Sequence, residues 1–239
     1  MIYSPSKEVC PLPFSPFKSC TIPRPIGWIS TVSQSGIYNL APFSQWQNLT
    51  FDPPMVMFAA NQLPTGERKH TVINSEKTGW FVWNMATYDL REAVNVSAME
   101  IPEDENEFVS AGVTPEICIE APAPRVLESP AHFECKYLST HQLKGNSGHG
   151  TVDIIYGEVI HIHVKDEFIL PNGKMDIEGI RPLARLGYYD YTSVTEIFEM
   201  RIPHADAMQK AGLEGKGSKK FNIRAGDEER HLKKKTKSF

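Results

Sequence analysis

Residues 24–60 read RPIGWISTVSQSGIYNLAPFSQWQNLTFDPPMVMFAA, and this stretch decides the predicted fold. Residues 26–33 and 55–60 are rich in β-branched and aromatic side chains and are bounded by Pro and Gly, which is typical of strands separated by turns. The sequence therefore predicts a strand at 26–33, a turn at 34–36 and a short second strand. A loop over residues 39–48 and a third strand at 55–60 complete the prediction.

The predicted loop has an unusual composition. Leu40, Phe43 and Trp46 alternate there with uncharged polar residues, which are Asn39, Ser44, Gln45, Gln47 and Asn48. Small-molecule sites are mostly apolar with a few fixed polar groups, so this composition suits a planar, heteroatom-rich ligand. A long hairpin loop packed on its own aromatic residues is the alternative that the composition leaves open.

Short motifs follow one another along the chain in a specific order. They are RPIGWIST at 24–31, NLAPFS at 39–44, PPMVMF at 53–58, KHTVIN at 69–74, GWFVWN at 79–84, GEVIHIHV at 157–164 and RPLARLG at 181–187. Each motif is weak alone. In this order they resemble the signatures of the flavin reductase-like, FMN-binding split-barrel family, and the likeness covers most of residues 14–202.

The resemblance implies a mainly β fold with a few helices, an FMN-binding split β-barrel closed from antiparallel strands, over residues 14–204. An N-terminal arm at residues 1–13 and a basic polar tail at residues 205–239 would flank it. The family forms homodimers with FMN near the subunit interface, so the resemblance implies a homodimer. It also implies hydride transfer from NAD(P)H to flavin N5, with the reduced flavin passed to oxygen, a flavin-dependent oxygenase or another acceptor.

The same resemblance assigns residues to a cofactor site. The isoalloxazine edge would face the backbone of Asn39, Leu40, Ala41, Pro42 and Phe43. The ribityl chain and phosphate would be held by Thr31, Ser44, Asn48, Lys69 and Thr71. The nicotinamide side would be lined by Arg185, Gly187 and Tyr188. His70 stands where the family pattern often has an acidic residue. No general acid or base is assigned, because in such enzymes the cofactor carries the chemistry.

Lys69, His70 and Thr71 form the best anion site on chemical grounds. They lie at the start of a predicted helix over residues 67–77, where free N–H groups and the positive end of the helix dipole favour phosphate. Lys69 adds a charge and Thr71 a hydroxyl donor. An ordinary helix start with exposed charge is the alternative.

Composition limits the class of protein and its location. The 239 residues carry a net charge of -4, and the four cysteines are scattered without the spacing of a disulfide framework. The N-terminus lacks the apolar core of a signal peptide and no long apolar run is present, so the sequence predicts a cytoplasmic protein without a membrane span. Residues 206–239 are basic and the remaining chain is acidic, which argues against nucleic-acid binding and favours a solvated tail.

The other predicted elements are strands and short helices. Strands are predicted at 80–85, 132–140, 151–164 and 195–202, and helices at 88–99 and near Phe108. The acidic residues 100–107 have the composition of a solvated connection, and residues 144–150 that of a flexible hairpin loop, because a glycine-rich phosphate loop would precede a helix.

Two alternative functions come from the residues. Gly157, His161, His163, Glu167 and Gly173 are spaced much like the first motif of the cupin barrels, and two histidines at i and i+2 can share a metal. The second cupin motif is absent downstream, so two ordinary strand histidines are the favoured interpretation. The other alternative is a non-enzymatic FMN-binding or electron-transfer module, which would need the same flavin site.

Overall fold

The computed structural model describes residues 1–200, and residues 1–197 form one compact unit. The strands are β1 (Arg24–Pro25), β2 (Gly27–Val32), β3 (Tyr38–Phe43), β4 (Trp46–Phe51), β5 (Pro54–Asn61), β6 (Trp80–Asn84), β7 (Pro115–Glu116), β8 (Arg125–Val126), β9 (Ala131–Leu143), β10 (Val152–Val164), β11 (Leu183–Arg185) and β12 (Tyr191–Ser193). The helices are α1 (His70–Thr78), α2 (Arg91–Val96), α3 (Glu107–Ala111) and α4 (Ile177–Ile180), with 3-10 turns at Phe17–Ser19 and Asp166–Phe168. The predicted mainly β fold with a few helices is confirmed.

The largest sheet has seven antiparallel strands in the order β3-β2-β6-β9-β10-β5-β4. Its two edge strands, β3 and β4, are consecutive in the chain and are joined by only Ser44 and Gln45. The edges of a flat sheet of this size would lie roughly 29 Å apart, whereas such a connection spans about 11 Å at most. The sheet must therefore curl until its edges approach each other, which gives a barrel.

Aromatic side chains fill the inside of the curled sheet. Trp46 on β4 stacks on Trp83 of β6 with ring centroids 5.5 Å apart, and Phe58 contacts Phe81 at 5.2 Å. Gly27 on β2 makes this packing possible, because a Cβ there would lie 3.0–3.2 Å from the side chain of Trp46. The small residue thus lets the Trp46 side chain of β4 pack closely against β2.

A second apolar cluster lies between the sheet and the helices α2 and α3. Trp28, Leu40, Val94, Phe108 and Val126 form its buried centre, and the indole of Trp28 donates to Ser97 Oγ at 2.9 Å. A small sheet, β1-β11-β12, then pairs Arg24 directly with Arg185. The start of the RPIGWIST motif and the late RPLARLG motif therefore meet beside the barrel.

Several sequence-based boundaries were wrong. Residues 39–48 do not form one loop, because all of them except Ser44 and Gln45 belong to β3 and β4, and their alternating polar residues are those of edge strands. Helix α1 begins at His70, three residues later than predicted, and α2 covers only Arg91–Val96 of the predicted 88–99. Residues 195–200 form no strand. Residues 201–204 and the basic tail at 205–239 lie outside the described residues.

Within residues 1–200, no helix combines the length and the apolarity that a membrane crossing requires.

Candidate functional site

The side-chain amide of Asn39 links three segments that are far apart in the sequence. Its Oδ1 accepts hydrogen bonds from Thr31 Oγ1 at 3.1 Å and Thr71 Oγ1 at 2.8 Å, and its Nδ2 donates to Glu107 Oε1 at 2.7 Å. Asn74 Nδ2 completes the network by donating to Thr31 Oγ1 at 3.2 Å. All five side chains are buried. Buried polar groups that satisfy one another fix the relative positions of the elements that carry them, here β2, β3, α1 and α3.

Sequence reasoning missed Glu107, which it placed in a solvated acidic connection. Glu107 is 6% exposed, and its Oε2 has no hydrogen-bond partner within residues 1–200. Burial raises the pKa of its carboxyl, and the hydrogen bond from Asn39 and the nearby His70 partly offset this. The residue begins α3 after the N-cap Asn106, whose side chain accepts from Phe108 N at 2.9 Å. Asn106, a residue type that is favoured at the N-cap and that stands two positions before Phe108, was the available signal for this helix start.

A first cavity, of about 140 Å³, opens above this network. It is lined by Asn39, Ala41, Pro42, Phe43, Leu63, Arg68, Lys69, His70, Thr71, the Ser97–Ile101 segment and Glu107. The N-terminus of α1 faces it, and the first N–H groups of a helix have no acceptor within the helix. Lys69 supplies a cation, and its Nζ pairs with Glu100 Oε1 at 2.6 Å. The hydroxyl of Thr71, which the resemblance assigned to the ribityl chain and phosphate, is buried and donates to Asn39 Oδ1.

A second cavity, of about 500 Å³, adjoins the first, and the two share Pro42 and Ala98 as lining residues. Its cationic residues are Lys18, Arg24 and Arg185. Its remaining walls are Phe14, Ser15, Phe17, Ile26, Pro42, Ser44, Ala98, Tyr188 and Tyr191. Burial lowers the pKa of Arg24, and the charge of Arg185 lowers it further. Sequence reasoning assigned no role to Phe14, Ser15, Phe17 and Lys18, which contribute to this cavity.

The predicted site residues fall into four groups. Asn39, Ala41, Pro42, Phe43, Lys69, His70 and Thr71 line the first cavity, and Pro42, Ser44, Arg185 and Tyr188 line the second. Thr31 and Leu40 are fully buried within the fold. Gly187 is buried against Ser19, whose side chain a Cβ at this position would overlap. Asn48 is exposed on β4 and lines neither cavity.

The histidines of the cupin-like pattern are held by carboxylates. His161 Nε2 lies 2.9 Å from Glu120 Oε1, and His163 Nε2 lies 2.6 Å from Glu134 Oε1. Glu134 is fully buried and also accepts backbone N–H groups of Ile119, Glu120 and Ala121. Among residues 1–200, no three His, Cys, Asp or Glu side chains are placed to hold a metal ion together.

The structure is thus a curled antiparallel sheet with two adjoining cavities at its edge strand β3. Residues 19–189 match the flavin reductase like domain, and the chain belongs to the flavin reductase-like family. An uncharacterised protein from Halalkalibacterium halodurans is 34% identical over 182 residues, which cover 76% of this chain and 87% of that protein.

Solved structures agree with this membership. Nitrilotriacetate monooxygenase component B from Bacillus cereus is similar with a TM-score of 0.77 and 26% identity, over 84% of this chain and 98% of that chain. A split-barrel domain protein from Shewanella frigidimarina, assigned to the flavin reductases, has a TM-score of 0.68 and 25% identity, over 79% of this chain and 90% of that chain. The fold is therefore the split barrel of flavin reductases.

Proposed function

We propose that this chain is an FMN-dependent oxidoreductase that oxidises NAD(P)H and delivers the electrons to a separate acceptor. The observation that carries the proposal is the pair of adjoining cavities. One has a helix N-terminus and a lysine, and the other has aromatic walls and arginines. When bound, FMN would supply the hydride acceptor, which the side chains of the protein do not provide.

The donors of the first cavity fit the phosphate end of FMN. The N-terminus of α1 presents N–H groups, and Lys69 offers a charge-assisted hydrogen bond to a phosphate oxygen. Glu100 is the competing anion at present. Because Lys69 is 31% and Glu100 63% exposed, their ion pair contributes only about 0–1 kcal/mol. A phosphate dianion at the helix terminus would outweigh it.

The backbone of β3 fits the edge of a flat heterocycle. As an edge strand, β3 pairs only with β2 within the seven-stranded sheet, and the outer side of such a strand carries N–H and C=O groups free for another partner. Ala41, Pro42 and Phe43 belong to this strand and line the first cavity. We assign to this strand the recognition of the isoalloxazine edge.

The Asn39 network would fix the relative positions of the elements that line the first cavity. It would not take part in proton transfer. It holds β3, α1 and α3 together through buried hydrogen bonds, and catalytic sites work best when supporting side chains are locked in this way. The reduced flavin would then react with a substrate or partner that reaches the second cavity.

An oxygenase is the partner that we propose, in a homodimeric reductase. Support for the oxygenase comes from the likeness to component B of a monooxygenase. The homodimer is what the family resemblance implies, and we propose Ile117 and Ile119, which follow β7 and are 87% and 68% exposed, as residues of its interface. Light scattering after size-exclusion chromatography measures the mass, and a 26.9 kDa species would contradict the dimer.

A purified sample tests the proposed activity directly. FMN is added under anaerobic conditions, unbound flavin is removed, and the absorbance of the bound flavin is followed after addition of NADH or NADPH. Prompt bleaching with either nucleotide is the expected result. A protein that binds FMN but stays oxidised with both would be a flavin-binding or electron-transfer module. A protein that binds no flavin would refute the proposal.

A further inference from the structure

Two carboxyl groups line the first cavity, and they differ in burial. The Glu100 side chain is 63% exposed, whereas Glu107 is 6% exposed. Glu107 Oε1 accepts a hydrogen bond from Asn39 Nδ2 at 2.7 Å, and its buried Oε2 has no partner within residues 1–200. Such a site disfavours the ionised carboxylate more than the neutral acid, because the charged form loses more hydration on burial.

Several groups act on the charge of Glu107. Burial raises the pKa of its carboxyl, while the hydrogen bond from Asn39 and the charge of His70 lower it. His70 begins α1 and, with Lys69, belongs to the wall of the first cavity. The other charged or titratable residues of this wall and of the elements packed against α3 are Arg68, Glu100, Tyr38 of β3, and Arg91 and Glu92 of α2. The charge of Glu107 therefore depends on what else the cavity holds.

A phosphate in the first cavity would act on Glu107 through its charge. It would lie at the N-terminus of α1, beside His70, whose own charge acts on Glu107. Neighbouring like charges disfavour each other's ionised forms, most strongly where water is excluded. A phosphate dianion at this place therefore opposes the ionisation of Glu107. The acid would carry its proton on Oε2, because Oε1 accepts from Asn39.

We propose that Glu107 controls the affinity of the first cavity for phosphate-bearing flavin, and that its carboxylate takes up one proton from solvent when FMN binds. The neutral acid admits the phosphate dianion, and the ionised carboxylate repels it. This inference rests on the proposed function, because the phosphate is that of FMN. The proton stays on the carboxyl and is not passed to the flavin, so Glu107 is a specificity-determining residue and not a catalytic one.

The test compares FMN with riboflavin, which lacks the phosphate, from about pH 5 to about pH 9. Quenching of flavin fluorescence at fixed ionic strength gives Kd for the parent, for Glu107→Gln, and for the control Glu105→Gln, which removes an exposed charge outside both cavities. For FMN, the Kd of the parent divided by that of Glu107→Gln should rise about tenfold or more with pH, since each unit by which FMN shifts the pKa is a factor of ten. This ratio cancels the ionisation of the FMN phosphate itself. For riboflavin it should stay constant, and Glu105→Gln should change neither Kd more than about twofold.

Calorimetry in buffers with different enthalpies of ionisation counts the protons taken up for each FMN bound. Where the ratio rises, the parent should take up more protons than Glu107→Gln, and His70→Gln should keep this excess. If Glu107→Gln does not fold, carbon-13 NMR follows the titration of the buried carboxyl in the parent, and FMN should move it to higher pH.

Three results would overturn the inference. They are an FMN ratio that does not change with pH, equal proton uptake in the parent and Glu107→Gln, and a carboxyl titration that FMN leaves unchanged. Equal weakening of both flavins at every pH would likewise reduce Glu107 to a structural role. Failure of the parent to bind FMN would instead refute the proposed function, and the same comparison with inorganic phosphate as the ligand would still test Glu107.

Discussion

Replacement of Lys69 by Ala should weaken FMN binding and leave riboflavin binding almost unchanged. A charge-assisted hydrogen bond to a phosphate contributes about 1.5–3 kcal/mol. The parent must give up the Lys69–Glu100 contact, 2.6 Å long and partly exposed, which contributes about 0–1 kcal/mol. The net loss in Lys69→Ala is therefore about 0.5–3 kcal/mol, or roughly 2- to 150-fold in Kd. Riboflavin has no phosphate, so its Kd should change less than twofold.

Glu100→Gln provides the matched control, because it removes the competing carboxylate and keeps the lysine. FMN affinity should then increase by up to about fivefold, and this increase should vanish in the Lys69→Ala background. Quenching of flavin fluorescence at fixed ionic strength gives all Kd values for both flavins. Equal weakening of FMN and riboflavin by Lys69→Ala would show damage to the ring site or to the fold. Unchanged affinity for both would place the phosphate away from α1 and refute the reasoning.

Other predictions concern the scaffold. Glu134→Gln should lower the free energy of unfolding by about 2–4 kcal/mol, because an amide nitrogen must then face at least one backbone N–H that now donates to the carboxylate; an unchanged urea midpoint at pH 7 would contradict this. Burial lowers the pKa of His132 to about 4, so the unfolded state binds its proton first and stability should fall from about pH 6.5 towards pH 4. His132→Gln should flatten that part of the profile of Tm against pH. A variant profile parallel to that of the parent would argue against assigning this loss of stability to His132. Desolvation raises the pKa of Glu134, but hydrogen bonds from Ala121, Ile119, Glu120 and His163 outweigh it and lower the pKa to about 2. A second loss is therefore expected as pH falls from 4.5 to about 2, and Glu134→Gln should lack it. Gly157→Ala should cost about 1–3 kcal/mol, because its Cβ would lie 2.5 Å from the ring of Phe81; Phe81→Leu should restore part of the loss, and two independent, additive losses would count against this contact. Replacing His161 and His163 together by Gln should leave bound flavin unchanged, whereas loss of one equivalent of metal would reveal a metal site there.

The order of the sequence motifs was sufficient to predict the class of fold. RPIGWIST, NLAPFS and GWFVWN became the neighbouring strands β2, β3 and β6, because strand propensity and alternation are local properties that short segments carry. Lys69 and His70 also lie at the start of α1, as the helix pattern indicated. The family match over residues 19–189 agrees with the predicted resemblance.

Local patterns failed where burial depends on distant residues. Residues 39–48 were expected to form a loop, since polar residues interrupt their apolar pattern, but an edge strand tolerates such residues on its open side. Glu107 was expected in solvent because its neighbours are acidic, and the structure buries it against Asn39, 68 positions earlier in the chain. Nothing in the sequence near either residue encodes that contact.

The sequence by itself determined the class of fold, several of the strands, the approximate position of α1, the family and the candidate phosphate residue Lys69, because these depend on short-range propensity and on motif order. Only the tertiary structure decided which side chains share a cavity. It turned the hydroxyl of Thr71 towards Asn39 and paired Arg24 with Arg185 across 161 positions of sequence. Such pairings arise when the folded chain brings remote segments together, and side-chain chemistry then depends on spatial neighbours rather than on sequence neighbours.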